Sequence, residues 1–297
     1  MNIKENQSIK YLTVNAIDEL WGLYITTIGS QIIEPNTSYP PKIHPSAYWF
    51  NPATGRVLQE YILLYLTTGG GVFQSKHCKP VEIAGGSLLL LFPNEWHTYL
   101  PKKQAGWTEY WVGFNGQNMD SLINNKFFSR DNPILNIGFN EQLVSLFKQG
   151  IEIANVQKTA YQQALAGIVS LLLGISYYSE KNNLFTDGDI VLQINKAKTL
   201  MQESISTNMT TEAIAASLNW SYSWFRKIFK KYTGFSPEQY RLEIKIQKAK
   251  ELLTISNISV KEIAFELNFD SVSYFVKFFN GRVGMPPGEY RNKIKGK

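Results

Sequence analysis

Residues 212–240 read EAIAASLNWSYSWFRKIFKKYTGFSPEQY, and residues 261–290 read KEIAFELNFDSVSYFVKFFNGRVGMPPGEY. The two stretches are copies of one pattern. Ile214, Ala215 and Leu218 match Ile263, Ala264 and Leu267 at an offset of 49. Phe225, Phe229, Gly234 and Tyr240 match Phe275, Phe279, Gly284 and Tyr290 at an offset of 50. One residue is therefore inserted in the second copy, between its two helices or at the start of the second. A pattern present only twice is not a solenoid.

Each copy has the grammar of a helix-turn-helix. In the second, Ser259-Val260-Lys261-Glu262 reads as a capping box, which starts a short helix carrying Ile263, Ala264 and Leu267. The small Ala264 lets another helix cross closely. Asn268-Phe269-Asp270 makes the turn, with Phe269 plugging the core. The next helix starts near Ser271 and buries Tyr274, Phe275, Phe278 and Phe279. The first copy does the same with Ile214, Ala215 and Leu218, then Trp220, then Phe225, Ile228 and Phe229.

The faces opposite these core residues are the candidate reading surfaces. One carries Ser223, Arg226, Lys227, Lys230 and Lys231; the other carries Val272, Ser273, Val276 and Lys277, with Asn280 and Arg282 further along. A helix in a major groove needs Arg or Lys for guanine edges and small or apolar groups for thymine methyls. It also needs cations for phosphate. A single Lys/Arg face is ordinarily just solvated, but two on matched helix-turn-helix units point to double-stranded DNA. Between the copies, Ser236-Pro237-Glu238-Gln239 starts a helix that runs to about Leu253. If rigid, it would let one chain read successive major-groove segments, which lie about 34 Å apart.

Charge follows the same division. Residues 189–297 hold a net +7, whereas residues 1–188 hold −1. The excess positive charge suggests a polyanionic partner for the C-terminal third alone. The single cysteine, Cys78, excludes an internal disulfide framework and fits a reducing compartment. Met1–Gln7 lacks the apolar core of a signal peptide, and no apolar run approaches membrane-span length. The expectation is a cytoplasmic protein with no membrane partner.

Upstream, residues about 20–115 read as short strands punctuated by Gly and Pro, which indicates a sandwich or barrel. Leu58–Thr67, Ser87–Phe92 and Trp107–Phe114 are the clearest strands, and Gly69-Gly70-Gly71 reads as a turn after the first. Leu143, Phe147, Ile151 and Ala154 mark one helix. A second, about Thr159 to Ser179, is apolar over a wide face. Its stripe of Leu165, Ile168, Leu172 and Ile175 is expected to serve both the barrel wall and a homodimer interface. Residues 180–188 (EKNNLFTDG) are the linker candidate. The fold class expected is α+β. It comprises an N-terminal β-barrel over 1–138, a helical dimerisation segment and linker over 139–188, and an all-α domain with two helix-turn-helix motifs over 189–297.

Residues 189–297 resemble the DNA-binding domain of the AraC/XylS family of bacterial transcription regulators. The resemblance rests on the alanine-bearing helices, on Phe-Lys-Lys-Tyr-Thr-Gly-Phe-Ser-Pro at 229–237 and on Gly-Met-Pro-Pro-Gly-Glu-Tyr-Arg at 284–291. It implies a seven-helix domain that places both recognition helices in successive major grooves. The family's base-reading positions fall on Ser223, Arg226, Lys227, Val272, Ser273, Val276 and Lys277. The N-terminal region resembles the family's cupin-like sugar sensor through Gly55-Arg56, residues 85–92, Pro93-Asn94-Glu95-Trp96-His97-Thr98-Tyr99 and Trp107-Thr108-Glu109-Tyr110-Trp111. Its arabinose-contacting positions fall on Arg56, Tyr99, Glu109 and Trp111. Glu109 stands where the arabinose sensor has His. The implied partners are DNA, a small-molecule effector such as a carbohydrate, a second copy of the chain, and RNA polymerase.

The chemistry of these four residues suits a sugar. Trp111 offers a flat apolar face, and Arg56 and Glu109 offer a donor fork and an acceptor for hydroxyls. Trp107, Tyr110 and Trp111 are equally readable as ordinary strand aromatics with alternate residues in the core. An enzyme is not expected. A metal oxygenase needs clustered His and carboxylate, and the chain has only His44, His77 and His97. Cys78 lies between His77 and Lys79, which could lower its pKa, but no active-site motif surrounds it. No cofactor or metal is implied. The alternative is a ligand-independent DNA-binding regulator whose barrel serves only dimerisation or protein contacts.

Overall fold

The computed structural model describes residues 7–41, 49–183, 188–207 and 209–296. His44 and residues 184–187 of the linker candidate lie outside the described residues. The chain forms two compact units, Met1–Leu184 and Phe185–Lys297.

The first unit is built on nine strands: β1 (Gln7–Tyr11), β2 (Tyr24–Ile33), β3 (Arg56–Val57), β4 (Tyr61–Ser75), β5 (Val81–Ala84), β6 (Ser87–Leu91), β7 (Trp96–Pro101), β8 (Trp107–Asn115) and β9 (Ile134–Asn136). Pairing runs β1-β2-β8-β4-β6-β9, and the far end of β4 pairs with β5 and β7. All described pairings are antiparallel, and they do not close into a ring. The architecture is thus a cupin-like folded sheet rather than a true barrel.

Gly69-Gly70-Gly71 is not a turn. All three lie inside β4, where it leaves β8 and picks up β5 and β7. Gly69 has φ +78°, and a Cβ there would sit 2.1 Å from the Gly106 carbonyl oxygen. A Cβ on Gly71 would meet Leu100 O at 2.3 Å. These glycines permit close backbone approach at a bend of the sheet.

Three helices complete this unit besides the short α1 (Ala16–Leu20): α2 (Gln117–Asn124), α3 (Glu141–Val156) and α4 (Tyr161–Asn183). α3 starts on Asn140, whose side chain accepts from the Leu143 N–H. Leu143, Phe147, Ile151 and Ala154 are buried in one cluster with Leu165, Val169, Leu172 and the helix-facing residues of β2, β4 and β8. Gln162 of α4 is buried too, and pins the helix to β2 through both the Ile25 N–H and the Ile25 carbonyl. The stripe read from the sequence as partly an interface therefore spends Leu165 and Leu172 on the chain's own core, each 0% exposed. The outward row of α4 is instead Ala164, Gly167, Leu171, Gly174 and Tyr178.

The second unit has seven helices among its described residues: α5 (Gly188–Thr207), α6 (Thr211–Ser217), α7 (Tyr222–Thr233), α8 (Pro237–Ile255), α9 (Val260–Glu266), α10 (Val272–Val283) and α11 (Pro287–Ile294). α6–α7 and α9–α10 are the two helix-turn-helix motifs. Ser259 with Glu262, and Ser236 with Gln239, form the expected capping boxes. Each motif turns on an asparagine of positive φ, Asn219 at 57° and Asn268 at 50°, a backbone region that Asn tolerates better than most residues. Phe229 meets Tyr240 edge-on at 5.3 Å, and Phe279 meets Tyr290 at 5.5 Å, so the repeat holds in three dimensions.

Because Leu172 is enclosed within its own chain, Leu172→Ala is expected to cost about 2–5 kcal/mol of stability. Thermal or denaturant unfolding of the chain measures this. A native-like midpoint would show that the residue does not occupy the core.

Candidate functional site

Two sites emerge, a cavity in the first unit and a basic helix face in the second. Strand alternation builds the cavity. On β8, Trp107, Glu109 and Trp111 point to one face; on β2, Gln31 pairs opposite Glu109 and Gly29 opposite Trp111. The indole of Trp111 lies so close over Gly29 that a Cβ there would be 2.5 Å from it. Trp111 Nε1 donates to Thr27 Oγ1 at 3.3 Å.

Arg56 enters from β3, which pairs with β7 at His97. Its guanidinium lies 4.4 Å from the Phe50 ring centre. It donates to the Tyr99 hydroxyl, and its Nε donates to His97 Nε2 at 3.4 Å. His97 Nδ1 in turn contacts the Glu95 carbonyl at 3.1 Å. That carbonyl can only accept, so Nδ1 carries the proton and Nε2 is free to accept. Burial, reinforced by the Arg56 charge, pushes the His97 pKa down to about 4 and keeps the ring neutral. His97 thus orients Arg56.

Arg56, Tyr99, Glu109 and Trp111 all line one cavity, which is partly open to solvent. Gln31, Thr27, Tyr11 and Tyr39 complete its polar lining. None of these four stood out in the sequence. The available signal was Gln31, a long polar side chain on the same strand face as Thr27 and Ile33. Glu109 is the chemically distinctive group. Burial raises its pKa to about 7, against the opposing influence of the Gln31 amide and Arg56.

His77 lies 3.6 Å from Asp131, away from this lining. Burial and the nearby Glu95 push the Cys78 thiol pKa up rather than down, the opposite of what its neighbours His77 and Lys79 could have done.

In the second unit, Phe225 and Phe229 are fully buried, which turns Ser223, Arg226, Lys227, Lys230 and Lys231 to solvent. Ser223, Arg226, Lys227 and Lys230 share a shallow concavity with Ser236 and Gln239 at the start of α8. The last two were missed because their capping role accounted for them. On α10 the face is mixed. Ser273 and Lys277 are exposed, but Val272 and Val276 are half-buried against the core below. Arg282 pairs with Glu243 of α8.

Residues 51–173 match the AraC-like ligand binding domain family, and residues 193–293 match a helix-turn-helix domain family. Ligand-binding and DNA-reading parts in one chain define a transcription regulator that senses a small molecule. The chain belongs to the AraC/XylS family of DNA-binding transcription regulators. It is 25% identical to the MmsAB operon regulatory protein of Pseudomonas aeruginosa, over 80% of this chain and 76% of that one. It is 25% identical to the Msm operon regulatory protein of Streptococcus mutans, over 84% and 88%. It is 27% identical to the lactose operon transcription activator of Staphylococcus xylosus, over 80% and 85%. These relatives are transcription regulators, and among the described residues no helix is long and apolar enough to cross a membrane.

Glu109 gives a pH signature. Its pKa is about 7 in the fold and 4.5 as the reference value, so between these the native state holds more protons than the unfolded state. The Glu109 contribution to stability therefore falls as pH rises from about 4.5 to 7, by up to about 1.4 kcal/mol per pH unit. Glu109→Gln is expected to remove that component, so the variant gains on the wild type with rising pH. Melting curves across this range check it; a constant difference between the two proteins would contradict the burial argument.

Proposed function

We propose that this regulator binds a carbohydrate in the first-unit cavity and reads DNA mainly through the exposed face of α7. The observation that carries the effector reading is the convergence of Arg56, Glu109, Tyr99 and Trp111 on one cavity. A guanidinium, a carboxyl group and flat aromatic surfaces together suit a ring with hydroxyls on its edge and C–H groups on its face. The lactose operon activator among the relatives, and the raffinose operon regulatory protein of Pediococcus pentosaceus, favour the same class. A ligand-independent role would leave a cavity lined by buried polar side chains unexplained. Calorimetric titration with lactose, raffinose, D-galactose and L-arabinose tests the reading.

On DNA, Arg226 and Lys227 are assigned to base edges and Lys230 and Lys231 to phosphates, with Ser223 between them. Ser273 and Lys277, flanked by Val272 and Val276, make the smaller contribution of α10. Arg226→Ala and Lys227→Ala are each expected to weaken binding by roughly 1–3 kcal/mol, measured at fixed salt on a duplex selected by this chain from a random pool. Affinity should also fall steeply between about 50 and 200 mM salt. Unchanged affinity in both variants would remove α7 from the base-reading role.

The regulator is further proposed to act as a homodimer that contacts RNA polymerase from its operator. The row Ala164, Gly167, Leu171, Gly174 and Tyr178 has the 3-4 spacing of a helix-packing seam, and both glycines face open space. A second copy of α4 is the proposed occupant. Leu171→Glu is expected to give monomers that melt like the wild type, since Leu171 is 47% exposed. Sedimentation and thermal unfolding together check this, and a persistent dimer would place the interface elsewhere.

A further inference from the structure

Gln31 and Glu109 face each other across β2 and β8, both almost fully buried. Gln31 Nε2 donates to Glu109 Oε1. That leaves one acceptor on each, Gln31 Oε1 and Glu109 Oε2, with no hydrogen-bond partner among the described residues. Trp107, on the same strand face, slightly favours the carboxylate, but its Nε1–H does not complete a hydrogen bond either. Buried acceptors are rarely left unmade, because each has lost its water without replacement. Both residues line the cavity, so donors arriving there can complete them.

We propose that Gln31 and Glu109 form a paired acceptor for two neighbouring hydroxyl groups, which makes the effector a neutral polyol with an adjacent diol and makes Gln31 a specificity-determining residue. This rests on the reading of the cavity as a carbohydrate site. The surrounding charges favour a neutral ligand. A cation would meet Arg56, and an anion would meet the Glu109 carboxylate. The backbone places the two acceptors as direct cross-strand partners, whose side chains stand about 5 Å apart at their Cβ atoms. The hydrogen bond between the two side-chain heads keeps their remaining acceptors side by side, as neighbouring hydroxyls require.

The proposal carries a proton linkage. Glu109 is faced by Arg56 from β3, Tyr99 from β7, Tyr39 from the segment after β2, and Trp107 on its own strand. Tyr11 of β1 also lines the cavity, with Glu60 among its charged neighbours, and the β4 wall is apolar at Ile62 and Leu64. His97 stays neutral above pH of about 4. Glu109 therefore titrates between pH 5.5 and 7.5. A hydroxyl donating to Glu109 Oε2 favours the carboxylate, so binding releases its proton and affinity rises with pH.

The test is calorimetry on the whole chain with the four sugars above, then with monodeoxy derivatives of the tightest binder, at pH 5.5, 6.5 and 7.5. Removing either of two adjacent hydroxyls is expected to weaken binding about tenfold or more, and removing the others much less. Affinity should rise with pH in the wild type, by up to about tenfold per unit, and lose that dependence in Glu109→Gln. Gln31→Met should weaken binding and erase discrimination against one of the two deoxy sugars; Gln31→Ala serves if the first variant melts early. If a sugar binds but these variants and deoxy derivatives bind as the wild type does, the pair is only an internal hydrogen bond, and the carbohydrate reading stands. If none of the four sugars binds the wild type, the carbohydrate reading falls and the diol assignment falls with it.

Discussion

Strand β8 divides two interiors, and the first unit depends on that division. Side chains alternate along a strand. Trp107, Glu109 and Trp111 therefore go to the cavity, while Tyr110, Val112 and Phe114 go to the helices. β4 obeys the same rule, with Ile62, Leu64 and Leu66 on the cavity side and Leu63 and Tyr65 behind. A slip of one residue would exchange the two sets. This register holds Glu109 on the cavity side among aromatic rings, 2% exposed. The same geometry makes the cavity wall thin. The rings of Tyr65 and Tyr110, on the back of that wall, lie 6.5 and 5.7 Å from Phe147 of α3.

In the second unit the ruling feature is the repeated Phe pair. Phe225 with Phe229, and Phe275 with Phe279, commit one side of each recognition helix to a small core. α8 joins the two motifs and is tied to the second by more than continuity. Lys245 is buried, lies over the Phe269 ring, and donates to the carbonyl of the turn residue Asn268 at 2.6 Å. The Asn268 side chain donates to Ile205 O of α5, also at 2.6 Å. One turn thus gathers the connecting helix and the first helix of the unit. Burial lowers the Lys245 pKa, and the carbonyl and ring offset part of that cost by accepting its charge.

The helical unit was largely legible in the sequence because its signals are local. Capping boxes, alanines at crossings and aromatic periodicity each act within a few residues. The sheet was less legible because its determinants are distant. Gly69–Gly71 carry turn chemistry, yet their role comes from Leu100 and Gly106, about thirty residues away. The wide apolar face of α4 did not reveal which part faced inward; the positions of α3 and β2 decide that. Arg56, Tyr99, Glu109 and Trp111 were reached through family resemblance, whereas Gln31 was not, since only the β2–β8 register brings it to Glu109.

The two copies of the helix-turn-helix have not stayed equivalent. α7 exposes four cations, whereas α10 exposes Lys277 and commits Arg282 to Glu243. A reader built this way has a front and a back. Inverting its recognition sequence would exchange a cation-rich footprint for a sparse one along the duplex. Under the proposed reading by α7, each bound chain would carry a heading, so a tandem arrangement and a mirrored arrangement of the same recognition sequence would be different signals to the promoter beside them.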